Sequence, residues 1–118
     1  MIDLKNFKRS FKYAGKGIAE VFRKEQNFRI QIIISLLIVL ISFYFRITVK
    51  EAVVVIFVIV FVLVLELINS AFERMVDILS PRIHDYAKDI KNIMAAMVLI
   101  ASIGAAIIGV LIFWPYLF

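Results

Sequence analysis

The sequence predicts an all-α integral membrane protein: an amino-terminal helix lying in the membrane interface, followed by three transmembrane helices. Two observations carry this. Hydrophobic residues make up 64% of the 118 residues, more than a soluble domain of this length can hide from water. Charged residues are gathered into a few short stretches, with long uncharged runs between them.

Over residues 3–25, Leu4, Phe7, Phe11, Ala14, Ile18 and Phe22 recur at helical spacing, with Lys5, Lys8, Arg9, Lys12, Lys16 and Arg23 elsewhere. This is the pattern of a helix lying in the plane of the interface. Residues 30–45 carry no charge and, with their neighbours, give a first span over 29–47, near the ~20 residues that cross hydrocarbon. After the polar connection RITVKE, a second helix is predicted over 51–79 and includes a cytoplasmic end. Ser80-Pro81 stops it, because proline lacks a donor and disfavours helix at the residue before it. The third span is predicted over 88–116. Ala101, Ala105 and Gly109 lie at four-residue spacing there, which permits close helix approach, and Trp114 and Tyr116 suit a membrane–water boundary.

Eight Lys or Arg precede the first span, two lie between the first and second, and four lie between residues 74 and 91. The positive-inside rule therefore predicts a cytoplasmic amino terminus and an external carboxy terminus in a multi-pass protein. The first apolar run lacks a cleavage-type end, so the amino terminus is expected to be retained. The absence of cysteine excludes disulfides, thiolate nucleophiles and Cys-based metal sites, and the single His84 excludes a multi-histidine site. The net charge of +5 sits beside apolar spans, so bilayer lipids are the expected partner and nucleic acid is not.

Glu66, Asn69, Ser70, Glu73 and Asp77 stack along one stripe of the second helix. Carboxylates near hydrocarbon cost at least ~2.5 kcal/mol each on insertion scales, so such a stripe is a functional site by default. Pairing with Arg74 or Lys88 at a solvated helix end explains Asp77 but not Glu66, which fourteen uncharged residues precede. Glu25 is placed to reach the depth of Glu73. Two carboxylates from different helices, without His or Cys, form a hard oxygen site suited to magnesium, although Glu25 could instead pair with Arg23, Lys24 or Arg29. Lys88 and Lys91, with Asn92 adjacent, are read either as snorkelling anchors or as point charges for phosphate. No Gly-rich phosphate loop occurs, so helix side chains would have to hold any nucleotide.

The run ELINSAFERMVD, together with SFKYAGKGI at 10–18, KEQNF at 24–28 and the spacing from Asp77 to Lys91, resembles the prokaryotic diacylglycerol kinase family, which includes the undecaprenol kinases. The resemblance covers most of the chain. It implies a homotrimer of three-span subunits in the inner membrane that phosphorylates the hydroxyl of a lipid alcohol, diacylglycerol or undecaprenol, with ATP and Mg2+. It further implies Glu66 as general base with Asn69 positioning the reactants, Glu25 and Glu73 on magnesium, and Lys91 on the transferring phosphoryl group. Tyr13, Lys16, Glu73, Asp77, His84 and Lys91 would lie on the nucleotide. SFKYAGKGI and KEQNF look more like the members from thick-walled bacteria, which favours undecaprenol.

One position of the catalytic set departs: where the family has Lys-Asp, this chain reads Lys91-Asn92, and Asp89 is not the same residue displaced. Asparagine keeps the shape but drops the charge and adds donors. A member that tolerates the change and a catalytically impaired member are both open readings. Two non-kinase readings compete: a holin-like or scaffolding bundle, which leaves the Glu, Asn, Glu, Asp series unexplained, and a proton-coupled transporter, for which one polar stripe provides no path across.

Overall fold

The computed structural model describes residues 1–118 as four helices: α1 (Leu4–Lys24), α2 (Gln26–Phe45), α3 (Val49–Leu79) and α4 (His84–Leu117). The last three are each long and apolar enough to cross a membrane. Helix α1 starts at Asp3, whose side chain accepts from the backbone N–H groups of Lys5 and Asn6 at 3.0 and 3.3 Å.

Between α1 and α2 the chain breaks at a single residue. Glu25 is extended (φ −119°, ψ 116°), closing α1 and opening α2 without a glycine or proline. Arg29 makes this possible: its Nη1 donates to the carbonyls of Phe22 and Arg23, both at 2.8 Å. Those carbonyls belong to the last turn of α1 and have no intrahelical partner once the helix stops. The Glu25 N–H is in turn bonded to the Val21 carbonyl at 2.8 Å. On the last turn of α1, ion pairs from Arg23 and Lys24 reach Glu20 at 2.5 and 2.6 Å.

Helix α2 ends on Arg46, which takes the left-handed conformation (φ 52°, ψ 54°) usually left to glycine. Thr48 then opens α3 with a capping box, its side chain accepting from the Glu51 N–H while Glu51 accepts from the Thr48 N–H. The Tyr116 hydroxyl also donates to Glu51, tying the end of α4 to the start of α3. At the other end of α3, Ser80 keeps helical angles (φ −50°, ψ −41°). The stop therefore comes from the donor that Pro81 lacks rather than from strain at the residue before it. A short turn follows, Arg82 and Ile83 donating to the Leu79 carbonyl, and α4 begins at His84.

Helix α3 is the centre of the bundle, packed by α4, α2 and the carboxy-terminal end of α1. Eight residues are buried, and three of them are polar: Glu66, Asn69 and Ser70. Large apolar side chains such as Leu37, Ile56 and Ile100 face outward. This inversion suits a hydrocarbon surround and would be untenable in water; the chain is a membrane protein. The small residues of α4 are not used for close approach within it. A Cβ built on Gly109 meets no atom within 4 Å, because Gly109, Ala105 and Ala106 face an open apolar groove of 480 Å³ shared with α2 and α3.

Candidate active site

The polar stripe of α3 lies against α2 and the α1–α2 junction. Glu66 is 1% exposed, Ser70 1% and Asn69 8%, so the inner part of the stripe is enclosed even in the single chain, while Glu73 is half-buried and Asp77 exposed. From α2, Gln31 donates its amide to Glu66 Oε2 at 3.4 Å. The amide oxygens of Gln31 and Asn69 are both buried without a hydrogen-bond partner. Two orphan acceptors beside one carboxylate form a polar pocket poor in donors, which a hydroxyl or an ammonium would satisfy.

Next along the stripe, Glu25 is brought from the helix junction onto α3. Its Oε2 accepts from the Ser70 hydroxyl at 2.5 Å, and its Oε1 from Arg74 Nη1 at 3.2 Å. Arg74 Nη1 also donates to the Ser70 carbonyl at 3.1 Å, which fixes the guanidinium beside the helix. Glu25 therefore pairs with a cation 49 residues away rather than with Arg23, Lys24 or Arg29. Glu73 is half-buried and engages in neither an ion pair nor a side-chain hydrogen bond, leaving its carboxylate free.

Further out, Lys91 Nζ of α4 reaches Asp77 Oδ1 at 2.6 Å. Around this pair opens a cleft of 380 Å³, lined on its polar side by Asp77, Ser80, His84, Lys88, Lys91 and Asn92. Six of the residues singled out from sequence thus fall in two adjoining groups on α3 and its neighbours: Glu25, Glu66 and Asn69 inside, Asp77, Lys91 and Asn92 outside. His84 joins the outer group as the first residue of α4. Tyr13 and Lys16 do not join either group through a side-chain hydrogen bond; Tyr13 is exposed on α1, with Lys16 Nζ 6.0 Å from its ring centroid.

No three carboxylate or imidazole groups converge on one point. A hexacoordinate hard cation that keeps water and phosphate ligands needs only one or two protein carboxylates, and Glu25 and Glu73 are the oxygen donors of that kind. The donor set fits such an ion. Two members of the site differ from the expectation: Gln31 is not among the residues singled out from sequence, and Arg74, expected on Asp77, pairs with Glu25 while Lys91 takes Asp77. Gln31 was legible as the only amide in an uncharged apolar run, whereas nothing local marks Arg74 as the partner of Glu25.

Fold and site together define a membrane-embedded helical protein with a carboxylate and amide centre enclosed just past the middle of its central helix. The chain belongs to the prokaryotic diacylglycerol kinase family, whose pattern matches residues 12–113 and so takes in every candidate residue from Tyr13 to Asn92. It is 33% identical to the undecaprenol kinase of Bacillus subtilis (strain 168) over 115 residues, 98% of this chain and 94% of that protein. The diacylglycerol kinase of Escherichia coli (strain K12) is 31% identical over 104 residues, 88% of this chain and 85% of that protein. The diacylglycerol kinase of Synechocystis sp. is 31% identical over 101 residues; the match takes in 85% of this chain and 58% of that longer relative. Membership in this family makes the chain a member of a group of lipid kinases.

Proposed function

We propose that the chain phosphorylates the hydroxyl of a membrane lipid alcohol at the cytoplasmic face of the inner membrane, using ATP and Mg2+, with undecaprenol preferred over diacylglycerol. The observation that carries this reading is the enclosed Glu66, with the amides of Gln31 and Asn69 around it, one step along the helix from Glu25 and Glu73. The preference for undecaprenol is supported by the extent of the match to an undecaprenol kinase, 98% of this chain and 94% of that protein.

Depth supports the division of labour. With Thr48 and Glu51 at one boundary of ~30 Å of hydrocarbon, the rise of α3 puts Glu66 about 22 Å in, Glu73 about 33 Å and Asp77 about 39 Å. Glu66 then sits where a lipid hydroxyl can dip, Glu73 at the boundary, and Asp77 with Lys91 in water, where ATP arrives. Glu66 takes the hydroxyl proton, and Asn69, buried one turn along the same helix, positions the reacting groups beside it. Lys91 neutralises charge on the transferring phosphoryl group, and Tyr13, Lys16, Asp77 and His84 contact the nucleotide. Glu25 and Glu73 would hold the magnesium, which supplies charge neutralisation across the ATP phosphates when bound. Positioning and charge are most of what phosphoryl transfer asks of a protein.

Residues 1–118 are read as one lipid-kinase domain, with α1 lying on the cytoplasmic interface over the nucleotide side. Three such chains assemble into a homotrimer: the open groove along Gly109 and the exposed lysines and tyrosine of α1 leave both packing surface and nucleotide side chains to be completed between subunits. Asn92 favours one second reading, an impaired member of the family, because it lines the cleft next to Lys91 without a carboxylate.

The deciding experiment incubates the purified protein in bicelles with labelled ATP, magnesium and each lipid alcohol in turn. Label is expected in the lipid, more in undecaprenol, and Glu66→Gln should lower the rate about 10²- to 10⁴-fold. Label in neither lipid, by both the natural chain and Asn92→Asp, refutes the kinase reading.

A further inference from the structure

Glu25 is not waiting bare for a metal. Its Oε1 faces a guanidinium at 3.2 Å, its Oε2 is taken by Ser70 at 2.5 Å, and Arg74 is anchored a second time on the Ser70 carbonyl at 3.1 Å. A carboxylate has about four lone-pair sites, so hydrogen bonding alone leaves room for a further ligand. The charge does not: a divalent cation brought to Oε1 would sit against a fixed positive group, at a carboxylate whose side chain is only 18% exposed. Arg74 itself is 41% exposed, so packing does not lock it against Glu25. Its other acidic neighbour one turn away, Asp77, is already held by Lys91.

We infer that Arg74 is a resident counter-cation for Glu25 that competes with the divalent metal, so that the site fills only above a threshold of metal set by the Arg74–Glu25 ion pair. In the metal-free state Arg74 neutralises Glu25 and ties the α1–α2 junction to α3. On loading it yields Oε1. The inference deepens the magnesium reading and rests on it.

Mn2+ is the probe, titrated into the full chain in bicelles without nucleotide, free Mn2+ being read from its electron paramagnetic resonance signal. Arg74→Met, which keeps the stem and removes the charge, should bind Mn2+ about fivefold more tightly than the natural chain, the upper end of what a half-exposed ion pair is worth. Arg74→Lys should stay close to the natural chain, and Arg74→Gln repeats the test should the Met variant fail to reach the membrane. In a Glu25→Gln background the gain from Arg74→Met should vanish, which separates competition at one oxygen from a general change of field. Equal or weaker binding by Arg74→Met, a gain that survives in Glu25→Gln, or no Mn2+ binding by any variant overturns the inference. Lipid labelling by the natural chain in the same bicelles is scored separately, so loss of the kinase reading is distinguishable from loss of this one.

Discussion

Replacing Gln31 by leucine separates what this side chain does for the fold from what it does for Glu66. In the natural chain the Gln31 amide donates to Glu66 Oε2 at 3.4 Å, beyond the usual N–H···O range, so the bond is worth less than those normally made to charged groups, about 1 kcal/mol. The same side chain buries an amide oxygen with no partner, a burden of roughly 1–3 kcal/mol. The Gln31→Leu variant would forfeit the first and relieve the second. Stability should therefore stay within about 1 kcal/mol of the natural value, because the orphan oxygen removed is offset by the donor lost to the buried Glu66. Glu66, by contrast, loses the donor that aims it, and the rate constant for lipid phosphorylation should fall about five- to tenfold with the KM for ATP unchanged. Thermal unfolding in detergent micelles reads the first effect and steady-state kinetics in bicelles the second. A stability loss above about 2 kcal/mol, or an unchanged rate, would show that Gln31 supports the packing of α2 on α3 rather than the carboxylate.

Tyr116→Phe removes the hydroxyl that ties α4 to Glu51 at the end of the molecule remote from the site; thermal unfolding should show a lowered midpoint while kcat stays unchanged. Lys91→Ala leaves Asp77 without its 2.6 Å partner and should lower kcat at least about 100-fold, whereas Asn92→Asp restores a carboxylate beside Lys91 and should raise it; an Asn92→Asp rate equal to the natural one removes the impaired-member reading. On α1, the hydrogen bond from Lys24 and the charges of Lys24 and Arg23 hold the Glu20 carboxyl below its ordinary value of 4.5. A lowered folded pKa makes its contribution present above the ordinary glutamate value and lost as pH falls through the lowered one. The last turn of α1 should thus exchange its amides faster on acidification through that window, and Glu20→Gln should abolish the dependence.

The three spans were legible because hydrocarbon imposes long uncharged runs, and the stripe from Glu66 to Asp77 because a helical period is all that is needed to stack it. What escaped depends on contacts between helices. The break at Glu25 carries no proline or glycine; it is set by Arg29 reaching back to two carbonyls, a pairing that sequence spacing does not announce. The partner of each charge was likewise hidden, since Arg74 can serve Asp77 along its own helix or Glu25 across helices, and only packing selects Glu25. Gly109 is the opposite case: a small-residue motif legible in sequence, which faces an open groove within one chain.

The one-residue junction at Glu25 has a mechanical consequence. Helix α1 is a lever about 31 Å long, pivoting on the residue that supplies a site carboxylate. A rocking of that lever by about 10° displaces its far tip by about 5 Å and Tyr13, about 18 Å out, by about 3 Å. The pivot itself scarcely moves. Groups on the outer arm can therefore shift by several ångströms while the carboxylate at the fulcrum keeps its register with α3, so motion of α1 and the geometry around Glu25 need not disturb one another.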